Sequence, residues 1–271
     1  MERELIQSFD GTSIYTIKDL IEEPKAIVVI VHGLAEHCRR YDYLVERLNE
    51  DNISVYRFDN RAHGKSGGKK GDNNSLHNFI DDANEVVKIA LKENVGKPIY
   101  MLGHSMGGLI TVAYGAKYPN ILNGQITSGA AVDYLPIFEN LKDVDLDEEG
   151  EGLVPNGLSD LICRDINVVE DYDKDPLVLK DTTKRLLKTT FIDGVKWLHE
   201  NIKKYNYPCL ILHGEDDRIV PKECSEWLYI NINVRDKRIK LYKDCFHEIL
   251  NEKVERDEII EDIINWIEKH S

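Results

Sequence analysis

Apolar and polar positions along the chain predict a repeating order of strands and helices. Residues 4–18 alternate between the two types on both sides of the turn signal Asp10-Gly11, which predicts an antiparallel hairpin. After it come short continuous apolar runs, typical of strands covered on both faces. These predicted strands span residues 26–31, 53–58, 99–102, 124–127, 209–212 and 238–242.

Apolar residues at helical spacing follow several of these runs. The longest such pattern extends from Leu76 to Leu91, and five isoleucines between Ile259 and Ile267 lie on one face of a closing helix. The chain is therefore predicted to form an α/β fold with a mostly parallel eight-stranded sheet flanked by helices. Such sheets bind ligands at the carboxyl ends of their strands.

Residues 131–205, called the cap segment below, interrupt this alternation and show no convincing strand. We predict an α/β core made of residues 1–130 and 206–271, with residues 131–205 inserted as a helical cap. Its apolar residues either line an acyl pocket or only pack the cap onto the sheet. They include Leu135, Ile137, Phe138, Leu153, Val154, Leu158, Leu161 and Ile162.

Composition narrows the classes of partner. A net charge of −14 over 271 residues disfavours nucleic acid and anionic membrane surfaces, and so favours neutral substrates. The acidic run 143–151 lacks the spacing of a calcium loop and is interpreted as a solvated loop. The five cysteines are scattered and odd in number, which favours reduced thiols. Without a signal-peptide pattern or an apolar run of ~18 residues, a cytoplasmic protein is expected.

The segment Gly103-His104-Ser105-Met106-Gly107-Gly108 carries the clearest chemistry. It lies between a predicted strand and a predicted helix, the context that a nucleophile elbow requires. Small residues at 103 and 107 let the chain turn tightly enough to present Ser105. Ser105 is therefore the predicted nucleophile.

A serine nucleophile needs a histidine base and a carboxylate that orients it. In α/β-hydrolases the order along the chain is Ser, acid, His, which among nine histidines favours His247, just beyond the last strand. For the acid, Gly214 allows a turn after the preceding strand, and Asp217 is preferred. Asp216 is the near competitor and Asp133 the distant one.

Acyl transfer also needs N–H groups directed at the developing oxyanion. The backbone N–H groups of Met106 and Leu34 are predicted for this role, the latter in the loop after strand 26–31. His32 is interpreted mainly as a structural support. The stretch 59–66 is either a buried turn network that supports the site or a contact to substrate. Glu36 and Arg40 are either substrate-binding residues or an internal ion pair that holds this loop.

Several motifs together resemble one protein family. They are His32-Gly33-x-x-Glu36-His37 with Arg40-Tyr41, Asp59-x-Arg61-x-His63-Gly64-x-Ser66, the elbow, Arg164-Asp165 with Asp175-Pro176-Leu177-Val178, Gly214-x-x-Asp217 and Phe246-His247-Glu248. From Ser8 onward the chain resembles the monoacylglycerol lipase and lysophospholipase branch of the α/β-hydrolases.

The resemblance implies a capped, cofactor-free serine hydrolase, and it supports Ser105, Asp217 and His247 with Leu34 and Met106 as oxyanion donors. Family members that bind glycerol add a histidine three residues after the catalytic one, where this chain has Leu250.

The leading hypothesis is hydrolysis of single-chain lipid esters, with monoacylglycerols ahead of lysophospholipids. A feruloyl or other aryl esterase and a prolyl peptidase are alternatives on the same scaffold, and a non-catalytic ligand-binding protein is a remote one. The expected partner is a small neutral ester, with no metal, no nucleic acid and at most transient membrane contact through the cap. A homodimer is left open.

Overall fold

The computed structural model describes residues 1–271 and contains ten strands. They are β1 (Glu2–Gln7), β2 (Ser13–Asp19), β3 (Ala26–Val31), β4 (Ile53–Phe58), β5 (Ile99–His104), β6 (Gly124–Ser128), β7 (Leu153–Pro155), β8 (Asp181–Thr183), β9 (Cys209–Gly214) and β10 (Lys237–Tyr242). Eight of them form one sheet in the order β1-β2-β4-β3-β5-β6-β9-β10. The predicted fold class is confirmed.

Strands β1 and β2 form the predicted antiparallel hairpin, and β2 also pairs antiparallel with β4. All remaining pairs of the sheet are parallel. Strands β3, β4, β5, β6 and β9 are buried along their whole length, which explains their continuous apolar runs. Strand β5 continues past its predicted end because Gly103 and His104 pair with β6.

Ten α-helices accompany the strands. They are α1 (Asp42–Glu50), α2 (Leu76–Glu93), α3 (Met106–Lys117), α4 (Leu146–Glu149), α5 (Ser159–Ile162), α6 (Ile166–Lys174), α7 (Lys184–Phe191), α8 (Asp193–Asn201), α9 (Glu223–Asn231) and α10 (Arg256–His270). Residues of α1 and α10 form a hydrophobic core on one face of the sheet, while those of α2, α3 and the cap segment form a larger core on the other. None of these helices combines the length and apolar character needed to cross a lipid bilayer.

The cap segment contains α4 to α8 and a short ribbon in which β7 pairs antiparallel with β8. The expectation of no strand there was wrong, because strands of three residues are too short to show a periodic pattern. The acidic run is not simply a loop: Asp145 caps α4 by accepting a hydrogen bond from Asp147 N–H, 2.9 Å away. The division into core and cap stays a prediction.

The C-terminal part of the cap segment, around β8 and the start of α7, is hydrogen-bonded to the loop before α2. The Thr183 N–H donates to the Gly71 carbonyl, 2.8 Å away, and the Thr183 hydroxyl donates to Asp72 at 2.8 Å. Arg185 pairs with the other oxygen of Asp72, also at 2.8 Å. These contacts fix the position of β8 and α7 over the sheet.

A buried ion pair joins β2 to β4 beside the loop that follows β3. Arg57 is 1% exposed, and its Nε donates to Asp19 at 2.9 Å. Its Nη1 donates to both Asp42 and the Cys38 carbonyl. Two carboxylates thus face the buried guanidinium charge, which would be costly without such partners.

We predict that Arg57→Met lowers the free energy of unfolding by about 3–5 kcal/mol, because it leaves Asp19 as an uncompensated buried charge. Arg39→Met is the matched control, since exposed Arg39 also pairs with Asp42 and its loss should cost less than about 1 kcal/mol. Denaturant unfolding monitored by circular dichroism measures both. Equal midpoints for the two variants would contradict this account.

Candidate active site

Ser105 occupies a strained turn between β5 and α3, with φ 55° and ψ −118°. The backbone is so close there that a Cβ on Gly107 would lie 2.0 Å from the Val31 carbonyl oxygen, and one on Gly103 would lie 2.1 Å from the Gly107 carbonyl oxygen. Such strain at a non-glycine residue persists only where the surroundings impose it, and it is typical of functional sites. The sequence-based explanation for the two glycines matches this geometry.

His247 and Asp217 form a direct hydrogen bond, 2.6 Å between Nδ1 and Oδ2. Asp217 Oδ1 accepts from the N–H groups of Ile219 and Val220, at 2.8 and 2.9 Å. Because an ionised carboxylate can only accept, Nδ1 carries the proton and Nε2 is left as an acceptor. Of the competing acids, Asp133 lies near His199, and neither it nor Asp216 is bonded to His247.

Opposing effects set the charges of this pair. Burial alone would lower the pKa of His247, but the charge and hydrogen bond of Asp217, with contributions from Glu248 and Glu36, raise it above its ordinary value of 6.5. Burial opposes ionisation of Asp217, yet the two neighbouring histidines hold its pKa well below the usual range. Asp217 is therefore a carboxylate that stabilises a protonated His247.

His213 is a contact of Asp217 that sequence reasoning passed over. Its Nε2 lies 2.9 Å from the Val220 carbonyl and 3.2 Å from Asp217 Oδ2, and its Nδ1 lies 2.7 Å from the Ser225 hydroxyl. A carbonyl only accepts, so Nε2 carries the proton and donates it to Val220, with Asp217 Oδ2 in contact with the same nitrogen. The sequence did offer a signal for this contact, since His213 lies at the end of the strand that precedes Asp217.

A cavity lined mainly by apolar side chains opens beside Ser105 and His247. Gly33 and Leu34 line it, and a Cβ on Gly33 would lie 3.2 Å from that of Ser105, so the loop after β3 lies against the nucleophile. The Ser105 hydroxyl makes no hydrogen bond in the structure; catalytic contacts often tighten only when substrate binds. Met106, the first residue of α3, places its N–H beside the serine.

The cap segment supplies most of the apolar wall of this cavity. Of the residues singled out in the sequence, Leu135, Ile137, Phe138, Leu158 and Ile162 line it, together with Tyr172 and Phe191. The other three contribute differently, since Leu153 and Val154 belong to the ribbon and Leu161 packs against the core. Both sequence-level interpretations of the cap are thus partly realised.

Glu36 and Arg40 form the internal ion pair, 3.2 Å between Oε2 and Nε. The other oxygen of Glu36 accepts from Gly33 N–H and from the Tyr41 hydroxyl, and Arg40 also pairs with Glu248 at 2.6 Å. Glu36, Arg40, Tyr41 and Glu248 border a second, smaller cavity that Leu250 also lines. Glu248 was missed as a site residue, although it follows His247 directly. Direct substrate contact by Glu36 or Arg40 stays a prediction.

The remaining motif histidines act as supports. His32 is fully buried, and its Nε2 accepts from Asn60 N–H at 2.8 Å. His104 lies 3.0 Å from the Ser128 carbonyl through Nδ1, and its ring packs against that of His247, with 4.6 Å between centroids. Burial, with the nearby His247, lowers the pKa of His104 to about 3, so it is neutral when His247 is charged.

The stretch 59–66 forms a buried turn network, one of the two alternatives that the sequence left open. Asp59 accepts from Cys38 N–H at 2.9 Å and from Lys65 N–H at 2.7 Å, while Ser66 accepts from Tyr15 N–H at 2.8 Å. The network ties the loop after β4 to the loop after β3.

Comparison with known proteins places this geometry in context. A family model described as "Serine aminopeptidase, S33" (Hydrolase_4) matches residues 22–254. The chain is 33% identical to a monoacylglycerol lipase of Mycolicibacterium smegmatis over 253 residues, which cover 92% of this chain and 90% of that protein.

Two solved structures are also similar. A monoacylglycerol lipase of Paleococcus ferrophilus superposes with a TM-score of 0.84 at 31% identity, covering 95% of this chain and 99% of that one. A soluble variant of a Saccharomyces cerevisiae monoglyceride lipase, in complex with a substrate analog, gives 0.88 at 25% identity, covering 100% and 96%.

We predict that Asp217→Asn keeps the fold but lowers kcat on a p-nitrophenyl ester by about 10⁴, because the imidazole loses its orienting carboxylate. Asp216→Asn is the matched control and should retain most of the activity, since Asp216 is not bonded to His247. Steady-state kinetics and circular dichroism measure the two effects. A larger loss in the Asp216 variant would reverse the assignment.

His213→Phe is expected to lower kcat by about tenfold, because the Asp217 carboxylate loses its polar contact with His213 Nε2. The carboxylate charge is then less neutralised and holds the proton on His247 more strongly, so the acid limb of the pH profile of kcat/KM moves to higher pH. Ser225→Ala leaves the proton on Nε2, where the Val220 carbonyl holds it, and should shift the limb less. An unmoved limb in the His213 variant would refute its contact with Asp217.

Proposed function

The chain belongs to the serine aminopeptidase S33 family of α/β-hydrolases, and from that premise we propose that it cleaves monoacylglycerols through an acyl-enzyme on Ser105. The observation that carries the proposal is the strained serine beside a histidine that is hydrogen-bonded to a buried carboxylate, facing an apolar cavity. The similar proteins named as monoacylglycerol lipases support the same substrate class.

In the proposed mechanism, Ser105 Oγ attacks the ester carbonyl carbon while His247 Nε2 takes its proton. The carbonyl oxygen becomes an oxyanion, which the N–H groups of Leu34 and Met106 stabilise. When the carbon–oxygen bond to glycerol breaks, His247 returns the proton to the departing alkoxide. Water, activated by the same nitrogen, then attacks the acyl-enzyme and releases the fatty acid. Asp217 stays ionised throughout and holds the imidazole in place.

Charge around the site favours a neutral leaving group. Glu36 and Glu248 are both buried, and Arg40 lies between them as their shared partner. Two carboxylates against one guanidinium leave a net negative charge, which disfavours the phosphate of an anionic lysophospholipid. Glycerol hydroxyls, in contrast, can donate to carboxylate oxygens.

We also infer a cytoplasmic protein that touches membranes transiently. All five cysteines are buried as free thiols, which suits a reducing compartment. Exposed apolar side chains of the cap segment suit brief contact with a lipid surface, among them Ile137, Leu153 and Ile166. The overall charge of −14 argues against lasting attachment to anionic lipid.

The proposal is tested by hydrolysis of monoacylglycerols of rising chain length, beside lysophosphatidic acid and a cinnamoyl ester. We expect the highest kcat/KM on a monoacylglycerol, and Ser105→Ala should lower it by about 10⁶ while leaving the fold intact. Labelling by a fluorophosphonate reports the nucleophile independently of substrate. A preference for the cinnamoyl ester would replace the lipase assignment with an aryl esterase, and failure to label would refute catalysis by Ser105.

A further inference from the structure

The loop that carries Leu34 contains a backbone conformation that needs support. Ala35, the next residue, has φ 65°, in the left-handed region that side chains other than glycine rarely adopt. A conformation of this kind persists only when neighbouring contacts hold it. The position of the Leu34 N–H therefore depends on what is bonded to the loop.

On the core side, Glu36 accepts from Gly33 N–H. On the outer side, the partners come from the cap segment, about 140 residues later. The Leu179 N–H donates to the Ala35 carbonyl at 2.8 Å, so the strained residue itself is bonded to the cap. Two residues further along the loop, His37 Nε2 lies 2.8 Å from Asp175 Oδ2.

The contact between His37 and Asp175 has a defined direction. His37 Nδ1 accepts from Arg39 N–H at 3.3 Å, so the ring proton is on Nε2 and is donated to Asp175. Asp175 is itself fixed, because its other oxygen accepts from Leu177 N–H at 2.8 Å. The His37 side chain is only 5% exposed, whereas Asp175 is 27% exposed, so the bond lies at the edge of the buried region.

A third contact lies beside these two. The Arg40 guanidinium stacks over the Tyr172 ring of α6, 4.7 Å from its centroid. Residues 172–179 of the cap thus touch the loop at Ala35, His37 and Arg40. Glu170, earlier in α6, takes no part in these contacts and forms an exposed ion pair with Lys174.

We propose that residues 172–179 position the oxyanion donor: Asp175, through His37, and the Leu179 N–H hold the loop so that the Leu34 N–H is directed at the reacting carbonyl. Asp175 and His37 are positioning residues that touch no substrate. The consequence is that this side of the cap must be docked for acyl transfer, since its release frees the strained loop. The inference rests on the proposed function, because it assigns Leu34 to the oxyanion.

The test compares Asp175→Ala with Glu170→Ala, a control in α6, the helix that ends just before Asp175, without contact to the loop. We expect Asp175→Ala to lower kcat by about 10- to 100-fold with little change in KM, because the lost interaction acts only on the transition state. Asp175→Asn keeps an oxygen acceptor for His37 and should recover much of the loss. Glu170→Ala should behave as the unaltered protein.

A trifluoromethyl ketone inhibitor gives a second readout, since its adduct with Ser105 bears an oxyanion. Its affinity should fall in Asp175→Ala by the same factor as kcat/KM, and His37→Gln, which can still donate to Asp175, should bind it better than His37→Ala. If Asp175 had only a structural role, its loss would lower the unfolding midpoint, but inhibitor affinity and kcat/KM would not fall by the same factor. Equal kinetics in Asp175→Ala and Glu170→Ala, or a loss confined to KM, would overturn the proposal.

The rate of fluorophosphonate labelling separates this inference from the proposed substrate. If the unaltered protein is labelled but does not hydrolyse monoacylglycerols, the substrate assignment fails. Slower labelling of Asp175→Ala would still support the positioning role in that case. If both variants are labelled at the rate of the unaltered protein, the positioning role fails, whichever ester is cleaved. An unlabelled natural sequence would refute both.

Discussion

The contact between the backbones of α3 and β3 at Gly107 is the constraint on which the site depends. No Cβ fits there, because the Val31 carbonyl oxygen would lie 2.0 Å away. This approach fixes the start of α3 against the end of β3, so the N–H of Met106 and the loop holding Leu34 are brought to one place. It also forces Ser105 into its positive φ. The proposed nucleophile and the proposed oxyanion donors thus lie beside the same close backbone contact.

Around that turn, the structure concentrates negative charge near one imidazole. Asp217, Glu36 and Glu248 are buried near His247, and Arg40 compensates only part of their charge. In the proposed mechanism, this negative charge stabilises the proton that His247 takes from Ser105. His104, packed against the same ring, stays neutral and adds no competing positive charge. The arrangement favours the charged intermediate over the resting state.

Sequence reasoning was strongest where the physical cause is local. The buried strands, the hairpin at Asp10-Gly11 and the elbow follow from short patterns, and the structure bonds Asp217 to His247 as the chain order predicts. It was weakest where partners are distant in sequence. The contacts of His213, the pairing of Arg40 with Glu248 and the ribbon of β7 with β8 depend on how separate segments meet. The pattern of apolar and polar residues cannot predict such long-range contacts, because each involves only one or a few residues of each segment.

The attachment of the cap segment to the core is uneven. From residue 162 onward, buried hydrogen bonds tie it to the core, including Thr183 to Gly71 and Glu248 to Ile162. Between residues 134 and 161, polar contacts remain within the cap itself, apart from the exposed ion pair of Lys69 with Glu151. Movement of residues 134–161 away from the core would therefore break the fewest polar contacts. Tyr134 and Ile137, at the start of this segment, are exposed. An aliphatic chain that entered the cavity on this side would therefore displace apolar contacts while leaving the buried hydrogen bonds to the core intact.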